Sequence, residues 1–326
     1  MNQCNASLTN ASLQGISNAS LNNVHVNCSW DFCPWDYTHD TTRIWYFNFV
    51  VYIIQIVVVL FGLIGNILAL IVLSKDTTKS TRVYLLKALA VADLLFLTFD
   101  AIFAILAGIA AFSVNNQYYT NTLNSIDFKV GLDIRKTLLT LSIWFVVLVT
   151  VDRYIHIAKP LEATTIATIK RMRIAVGLLA ISAIIFDITR VLTCCNREQL
   201  QIYGILDIIL IYAGPVITVS ILNFKLVQSV RQSRQNVGQL SEAAAEDRKQ
   251  TLTMIAIVSV FLLSSLSLLI KEAFYSLEII HMYEWTVRVS SFLVVCNSSC
   301  NVIFYFIFGK TFRRQLKRIL LCKSAT

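Results

Sequence analysis

The chain has 326 residues, of which 56% are hydrophobic and only 14% are charged. So little charge cannot cover the surface of a soluble protein of this length, which excludes an ordinary water-soluble fold. The net charge of +9 does not indicate nucleic acid as a partner, because the bases are spread over separate polar segments between apolar ones.

Seven apolar runs follow one another along the chain, each long enough for a helix to cross a bilayer. They cover residues 45–74, 82–111, 130–157, 173–193, 200–230, 251–280 and 284–308. We therefore predict an all-α fold, a seven-transmembrane helix bundle over residues 45–308 with a short amphipathic interfacial helix after the seventh span. Residues 1–44 are predicted to form an extracellular glycosylated tail, and residues 309–326 the interfacial helix and a cytoplasmic tail.

Basic residues concentrate in the polar segments after the first, third, fifth and seventh runs. The segment after the third run, for example, contains Lys159, Lys170 and Arg171. Cytoplasmic loops carry such an excess of bases, so we predict that the N-terminus lies outside the cell and the C-terminus in the cytosol. The chain is predicted to be a multi-pass protein of the plasma membrane, in contact with membrane lipid.

The N-terminal tail is polar, rich in Asn and Ser, and without the apolar stretch of a cleaved signal peptide. It contains four Asn-x-Ser sequons, which indicate N-glycosylation on the outer side; a chance Asn/Ser-rich tail is the alternative. The predicted glycosylation sites are Asn5, Asn10, Asn18 and Asn27. Five cysteines also fall on the outer side, an odd number that leaves at least one without a partner in the chain. They are Cys4, Cys28, Cys33, Cys194 and Cys195.

The third run ends in Asp152-Arg153-Tyr154, an acid and a base where the helix meets the aqueous side. Charges inside a bilayer are costly, so they belong at helix ends unless they have partners or a function. An Asp–Arg pair neutralises itself until something pulls the Arg away, which makes Arg153 a candidate switch. The alternative is an interfacial Arg that only obeys the positive-inside rule.

Several polar residues lie inside the apolar runs, where hydrocarbon should exclude them. Asp93 is a carboxylate in the middle of the second run, and a buried carboxylate needs partners. One acid among neutral oxygens suits a monovalent metal ion such as sodium bound at Asp93; a polar network that holds helices together is the alternative. The polar residues concerned are Asn66, Asp93, Ser142, Asn297, Ser298 and Asn301.

A basic amphipathic stretch over residues 310–321 follows the seventh run. Phe312 and Leu316 alternate there with bases such as Arg314 and Lys317, a pattern that a short helix lying in the membrane interface explains. Cys322 comes directly after it and is a predicted S-palmitoylation site.

The dispersed motifs occur in a familiar order. They are Gly-Asn-x-x in the first run, Leu-Ala-x-x-Asp-Leu in the second, Asp-Arg-Tyr after the third, Pro215 in the fifth and Asn-Ser-Ser-x-Asn-x-x-x-Tyr in the seventh. In this set the chain resembles the rhodopsin-like (class A) G protein-coupled receptors over residues 45–322. Two stretches, 186–190 and 215–223, are also similar to invertebrate FMRFamide-type neuropeptide receptors.

The resemblance implies roles for the matching positions. Arg153 would open onto a heterotrimeric G protein, Asp152 would hold it at rest, Asp247 would be its second partner, and Tyr305 would swing inward on activation. Tyr154 completes the switch motif. The resemblance also implies an allosteric sodium ion in a pocket of Asp93, Ser142, Asn297, Ser298 and Asn301.

The chain departs from the family pattern in ways that concern the activation hinge. The family has a cysteine at the outer end of the third helix, which would fall near Phe128, but no Cys stands there. We therefore predict that Cys194 or Cys195 forms a disulfide with Cys28 or Cys33 instead. Ala180 stands where the family has Trp. The sixth run reads Ser264-Ser265-Leu266-Ser267 in place of Cys-Trp-x-Pro, and Val302 replaces the proline of the seventh. Without these prolines both helices are expected to be straighter, with the serines bending the sixth weakly.

The outer ends of the runs carry both acids and bases. Arg135 stands where amine receptors of this family have an acid, which disfavours a small amine ligand. A mixed-charge vestibule suits an extracellular peptide, whose Arg would pair with an acid while its carbonyl or acid groups meet a base. Solvated rim residues are the alternative for any one of these positions. The candidate ligand-binding residues are Asp100, Arg135, Lys136, Asp207, Lys271, Glu272 and Arg288.

These patterns predict a G protein-coupled receptor for a neuropeptide. A non-signalling or constitutively active receptor-like protein, acting as a decoy or heteromer partner, is the second hypothesis, because the hinge prolines and the usual disulfide are missing. A transporter or channel is a distant third, since the chain has three prolines in all and no internal repeat. No catalytic constellation is visible, so an enzyme is not predicted.

Overall fold

The computed structural model describes residues 41–76, 80–112, 126–192, 197–236, 258–274, 280–308 and 310–320. The chain divides into two units, Met1–Asn48 and Phe49–Thr326; in the first, residues 41–48 are helical. Some predicted sites lie outside the described residues and stay predictions. These are the four sequons at Asn5, Asn10, Asn18 and Asn27, the outer cysteines Cys28, Cys33, Cys194 and Cys195, and Asp247 and Cys322.

Helices make up all the regular structure in the described part of the chain. Six of them are long and apolar enough to cross a membrane, and α6 supplies the seventh span, so the predicted seven-helix bundle is confirmed. The helices are α1 (Thr41–Ser74), α2 (Thr81–Phe112), α3 (Ile126–Ala158), α4 (Ile169–Leu192), α5 (Arg197–Leu206, Asp207–Ala213 and Gly214–Asn236), α6 (258–274), α7 (Ile280–Phe308) and α8 (Lys310–Leu320). A short helix, Pro160–Ile166, lies in the connection between α3 and α4.

The core of the bundle is built around α3. Ile143 and Val146 of this helix belong to one buried apolar cluster with Phe96 of α2, Val219 of α5 and Phe261 of α6. Apolar side chains also cover the outside of the bundle, for example on α1 and α4, as a protein surrounded by lipid requires. The chain is therefore a multi-pass membrane protein.

Helix α5 contains a π-helical turn, Asp207–Ala213, immediately before Pro215. Proline has no backbone N–H, and its ring clashes with the carbonyl four residues earlier. The regular series of backbone hydrogen bonds of the α-helix is therefore interrupted there. The Gly214 N–H instead reaches back to the carbonyl of Ile209, and a Cβ at Gly214 would lie 2.8 Å from that oxygen. The extra residue in the turn leaves Asp207 and Tyr212 both buried.

Helix α8 follows α7 as the amphipathic pattern predicts. Phe312 and Leu316 are buried against Ala69 and Val72 of α1, while bases face outward. Arg313, however, is not simply part of the polar face. Its guanidinium donates to the carbonyls of Phe306 and Ile307, which satisfies the otherwise open C-terminal end of α7.

Serine side chains form hydrogen bonds in the part of α6 where the family has its hinge proline. Ser264 donates to the Phe261 carbonyl (2.9 Å) and Ser267 to the Ser264 carbonyl (2.6 Å), both within α6. Ser290 of α7 donates to the Ser267 carbonyl at 2.8 Å, a direct link between the two helices. The serines thus hydrogen-bond to backbone carbonyls of their own helix, and the weak bend predicted from them stays a prediction.

Helices α1 and α7 approach closely through two glycines. A Cβ added to Gly65 would lie 2.4 Å from a methyl carbon of Val302, the residue that replaces the usual proline of α7. A Cβ added to Gly62 would lie 2.2 Å from the Ser299 Oγ and 2.7 Å from both the Ser299 Cβ and a Leu97 methyl. Only a residue without a side chain fits at these contacts.

We expect Gly62→Ala to destabilise the bundle by about 1–3 kcal/mol, because the new methyl overlaps side chains of two other helices. The thermal unfolding midpoint of the purified full chain in detergent measures the effect. Gly177→Ala is the matched control: nothing lies within 4 Å of its added Cβ, so the better helix propensity should leave stability unchanged or raised. Equal midpoints for the two variants would contradict the close contact.

Candidate functional site

Asp93 lies at the centre of the predicted polar network and has no exposed surface. Its two carboxylate oxygens accept hydrogen bonds from two other helices: the Ser142 Oγ of α3 donates to Oδ1 at 2.6 Å, and the Asn301 Nδ2 of α7 donates to Oδ2 at 2.7 Å. The structure thus brings together three residues that the sequence places more than forty positions apart. This network joins α2, α3 and α7.

The same network continues toward α1. The Asn66 Nδ2 donates to the Gly62 carbonyl and to the Ser298 carbonyl of α7, both at 3.0 Å. The Asn66 Oδ1, the Ser298 Oγ and the Ser299 Oγ are buried without a hydrogen-bond partner among the described residues. Asn297 is buried nearby in sequence on α7. The network therefore contains one carboxylate and, near it, uncharged oxygens that accept no hydrogen bond from the described residues.

The C-terminal end of α3 carries the predicted switch. Arg153 is only 8% exposed, and its Nε and one terminal nitrogen, Nη2, have no hydrogen-bond partner in the described part of the chain. The Asp152 carboxylate contacts residues other than Arg153. The Thr81 side chain hydrogen-bonds to it, and the His156 Nδ1 lies 3.5 Å from its Oδ1. Within the described residues, Asp152 and Arg153 do not form an ion pair. Their roles stay predictions.

On the opposite half of the bundle, Asp100 of α2 is buried between two partners. The Gln55 Nε2 of α1 donates to its Oδ2 at 2.9 Å, and the Arg135 Nε of α3 donates to its Oδ1 at 2.6 Å. The Arg135 guanidinium also lies over the ring of Phe96, 5.3 Å from its centroid. The two candidate ligand residues thus form an ion pair between α2 and α3, and the Gln55 hydrogen bond adds α1 to the contact.

A second group of charges joins α3, α4 and α5. Lys136 donates to Asp207 of the π-helical turn, and Thr137 donates to Asp187 of α4. Arg190 pairs with Asp133 and lies 3.6 Å from the Asp187 Oδ1. These residues come from three helices, and most of their side-chain surface is buried.

The remaining candidates occupy the ends of α3, α6 and α7. Lys271 and Glu272 pair with each other at 2.6 Å, and Arg288 is half-buried on α7. Tyr154 is half-buried after the switch residues. Tyr305 lies on α7, and its side chain is outside what the structure describes.

Sequence reasoning did not include Asp133, Thr137, Asp187 and Arg190 in the site. A signal was present: Asp133 and Thr137 are four apart on α3, and Asp187 and Arg190 are three apart on α4, so each pair shares a helix face. Which face turns inward depends on helix rotation, and that is not visible in the sequence. Gln55 was missed for the same reason.

Comparison with known sequences identifies the family. Residues 65–305 match the sequence pattern of the family described as 7 transmembrane receptor (rhodopsin family). The chain belongs to this receptor family. Membership confirms the resemblance inferred from the motifs, and it agrees with the prediction that the chain is not an enzyme.

Relatives within the rhodopsin family include receptors named for peptides. An FMRFamide receptor of Drosophila melanogaster is 27% identical over 80% of this chain and 52% of its own length. The chain thus spans about half the length of that relative. An FMRFamide peptide receptor of Caenorhabditis elegans is 22% identical (81% of this chain, 68% of that one), and galanin receptor 2a of Danio rerio is 24% identical (81% and 76%).

Proposed function

We propose that the chain is a plasma-membrane G protein-coupled receptor for an extracellular peptide, with its N-terminus outside the cell. Ligand binding would favour an outer geometry that accompanies an open cytoplasmic face, where Arg153 engages the G protein. The similarity to receptors named for FMRFamide and galanin supports the peptide class.

One observation carries the proposal. Charged side chains of both signs lie together in one half of the bundle, and the buried guanidinium of Arg153 lies at the opposite end of α3. A peptide presents charged, polar and apolar groups at once, so it suits a group of mixed charges better than a small amine does. The two ends are connected by α3, around which the core is packed.

The test is a G protein dissociation assay in cells that express the full chain, challenged with a panel of neuropeptides that includes the tetrapeptide amide FMRFamide. We expect at least one peptide to stimulate dissociation above the level of mock-transfected cells. No response to any peptide would overturn the peptide proposal. High activity without peptide would instead support the constitutively active alternative.

We also propose that the Asp93 network binds a sodium ion. The donor set fits a monovalent cation: one buried carboxylate, the hydroxyls of Ser142 and Ser298, and the amide groups of Asn297 and Asn301. The buried Ser298 side chain interacts with the Asp93 carboxylate and supplies an additional oxygen. In the described residues no group of three or more His, Cys, Asp or Glu side chains forms a site for a multivalent metal. Sodium would supply the positive charge that the isolated carboxylate lacks.

Replacing sodium chloride with choline chloride at equal ionic strength is expected to lower the thermal unfolding midpoint of the wild-type chain, because a bound ion stabilises the folded state. Asp93→Asn should remove this difference, since the amide keeps the size of the carboxylate but lacks its charge and one of its two acceptor oxygens. Glu162→Gln, an exposed position, is the control and should retain it. An equal sodium effect in Asp93→Asn would refute the site.

A further inference from the structure

Two polar contacts between α2 and α3 lie two helical turns apart. In one, the Ser142 Oγ of α3 donates to Asp93 of α2. In the other, the Arg135 Nε of α3 donates to Asp100 of α2. Asp93 and Asp100 are seven residues apart on α2, and the same spacing separates the two donors on α3. Seven residues make about two turns and about 10.5 Å of rise, so the two contacts follow one another along the same interface.

An apolar layer separates the two contacts. Phe96 is three residues after Asp93 and four residues before Asp100, so its side chain shares their face of α2. Phe96 has no exposed surface, and it belongs to the same buried cluster as Leu139 of α3. The Arg135 guanidinium lies over the Phe96 ring, 5.3 Å from its centroid. Water screens a charge poorly in such surroundings, so a charge at one contact acts on the other.

Arg135 pairs with one of the two buried acids on this face of α2. Asp100 is 3% exposed and takes the guanidinium as its ion-pair partner, together with the amide of Gln55. Asp93 is as deeply buried, but the groups that hydrogen-bond to it are the hydroxyl of Ser142 and an amide of α7. Neutral donors do not compensate the charge of a carboxylate. Asp100 therefore holds a cation that would otherwise stand unpaired about two turns from Asp93.

We propose that the Asp100–Arg135 ion pair sets the affinity of the Asp93 network for a monovalent cation. Asp100 cancels the positive charge of Arg135 and keeps the guanidinium away from Asp93. Without Asp100, the guanidinium would repel a cation from the network, and without Arg135, the Asp100 carboxylate would attract one. Both are positioning residues, since neither is among the proposed ion ligands. The inference rests on the proposed sodium site, and it gives these two residues a role apart from contact with a peptide.

The test is a sodium titration of the purified full chain in detergent, with choline chloride keeping the ionic strength constant. The quantity measured is the sodium concentration that gives half of the increase in the thermal unfolding midpoint. Asp100→Asn should raise this concentration and Arg135→Gln should lower it, each roughly tenfold. This is the effect of one unit charge at about 10 Å with an effective dielectric constant of about 20. The glutamine can still donate to Asp100, which limits the loss of stability.

The double variant and a neutral control separate electrostatics from packing. Asp100→Asn combined with Arg135→Gln removes both charges and should return the half-maximal sodium concentration to about the wild-type value. Gln55→Met removes a hydrogen bond from the same carboxylate without changing any charge. It is expected to lower the midpoint and to leave the half-maximal sodium concentration unchanged.

An exposed ion pair controls for net charge. Lys159→Met and Glu162→Gln make the same charge changes as the two test variants, at side chains that are 49% and 52% exposed. Water screens these positions, so neither variant should change the half-maximal sodium concentration.

The outcomes separate this inference from the sodium site itself. A sodium effect in the wild type with no change in either test variant, or with changes in the same direction, would keep the site and show that the ion pair only holds helices together. No sodium effect in the wild type would reject both. If one test variant does not fold, the other decides by sign: a lower half-maximal concentration in Asp100→Asn, or a higher one in Arg135→Gln, contradicts the inference.

Discussion

Cells that express Arg153→Ala are expected to show no G protein response to a peptide that activates the wild-type receptor. The guanidinium is buried at the C-terminal end of α3, and two of its nitrogens have no hydrogen-bond partner in the described part of the chain. Under the proposed function this positive charge is the group that meets the G protein. Its removal should reduce stimulated dissociation to the level of mock-transfected cells.

The variant should still fold, because two nitrogens of the buried guanidinium have no hydrogen-bond partner in the described part of the chain, so that its removal relieves a desolvation cost. Surface labelling should therefore find Arg153→Ala at a level close to that of the wild type. Arg171→Ala is the matched control, since Arg171 is an exposed base on the same side of the membrane, and it should keep the response. A full response of Arg153→Ala would disprove the switch.

Lys136→Met is expected to destabilise the receptor by about 3 kcal/mol, because it leaves the buried Asp207 without its ion-pair partner. Lys136 belongs to a cluster of linked charges with three acids and two bases, so its loss raises the excess of acids from one to two. The cluster consists of Asp133, Lys136, Asp187, Arg190 and Asp207. Asp207→Leu should cost clearly less, since it leaves two acids facing two bases. We therefore expect the two partners of one ion pair to differ in the stability that is lost when each is replaced.

The measurement is a double-mutant cycle on thermal unfolding of the full chain. Lys136→Met combined with Asp207→Leu should recover most of the stability lost in Lys136→Met, because it restores the wild-type net charge of the cluster. Lys159→Met breaks the exposed pair with Glu162, whose side chains are 49% and 52% exposed, and should change stability by less than about 1 kcal/mol. If Asp207→Leu proves the more damaging single change, the charge imbalance is not real.

Hydropathy predicted the bundle well because it is a local property. A run of about twenty apolar residues must form a helix in lipid, where every backbone group needs an internal partner, so the spans could be recognised without tertiary information. The same holds for α8, whose apolar residues Phe312 and Leu316 repeat at helical spacing. The motifs around Asp93 were also recognisable, because they match a known family order.

Contacts between charged residues were much harder to predict. Asp152 and Arg153 are adjacent in sequence and suggested a pair, yet successive residues of a helix point in different directions, and in the structure Asp152 meets Thr81 and His156. In the ion pair Lys136–Asp207, the acid is the first residue of the π-helical turn, and no residue pattern predicted that turn.

Composition and motif order were therefore enough for the number of spans, the family and the buried carboxylate at Asp93. The rotation of each helix about its own axis came only from the folded bundle, and with it the burial of Asp187 and the engagement of Asp100 with Arg135 and Gln55. The physical reason is that lipid selects for apolar surface along a whole span, whereas an interhelical ion pair depends on packing between helices that are far apart in sequence.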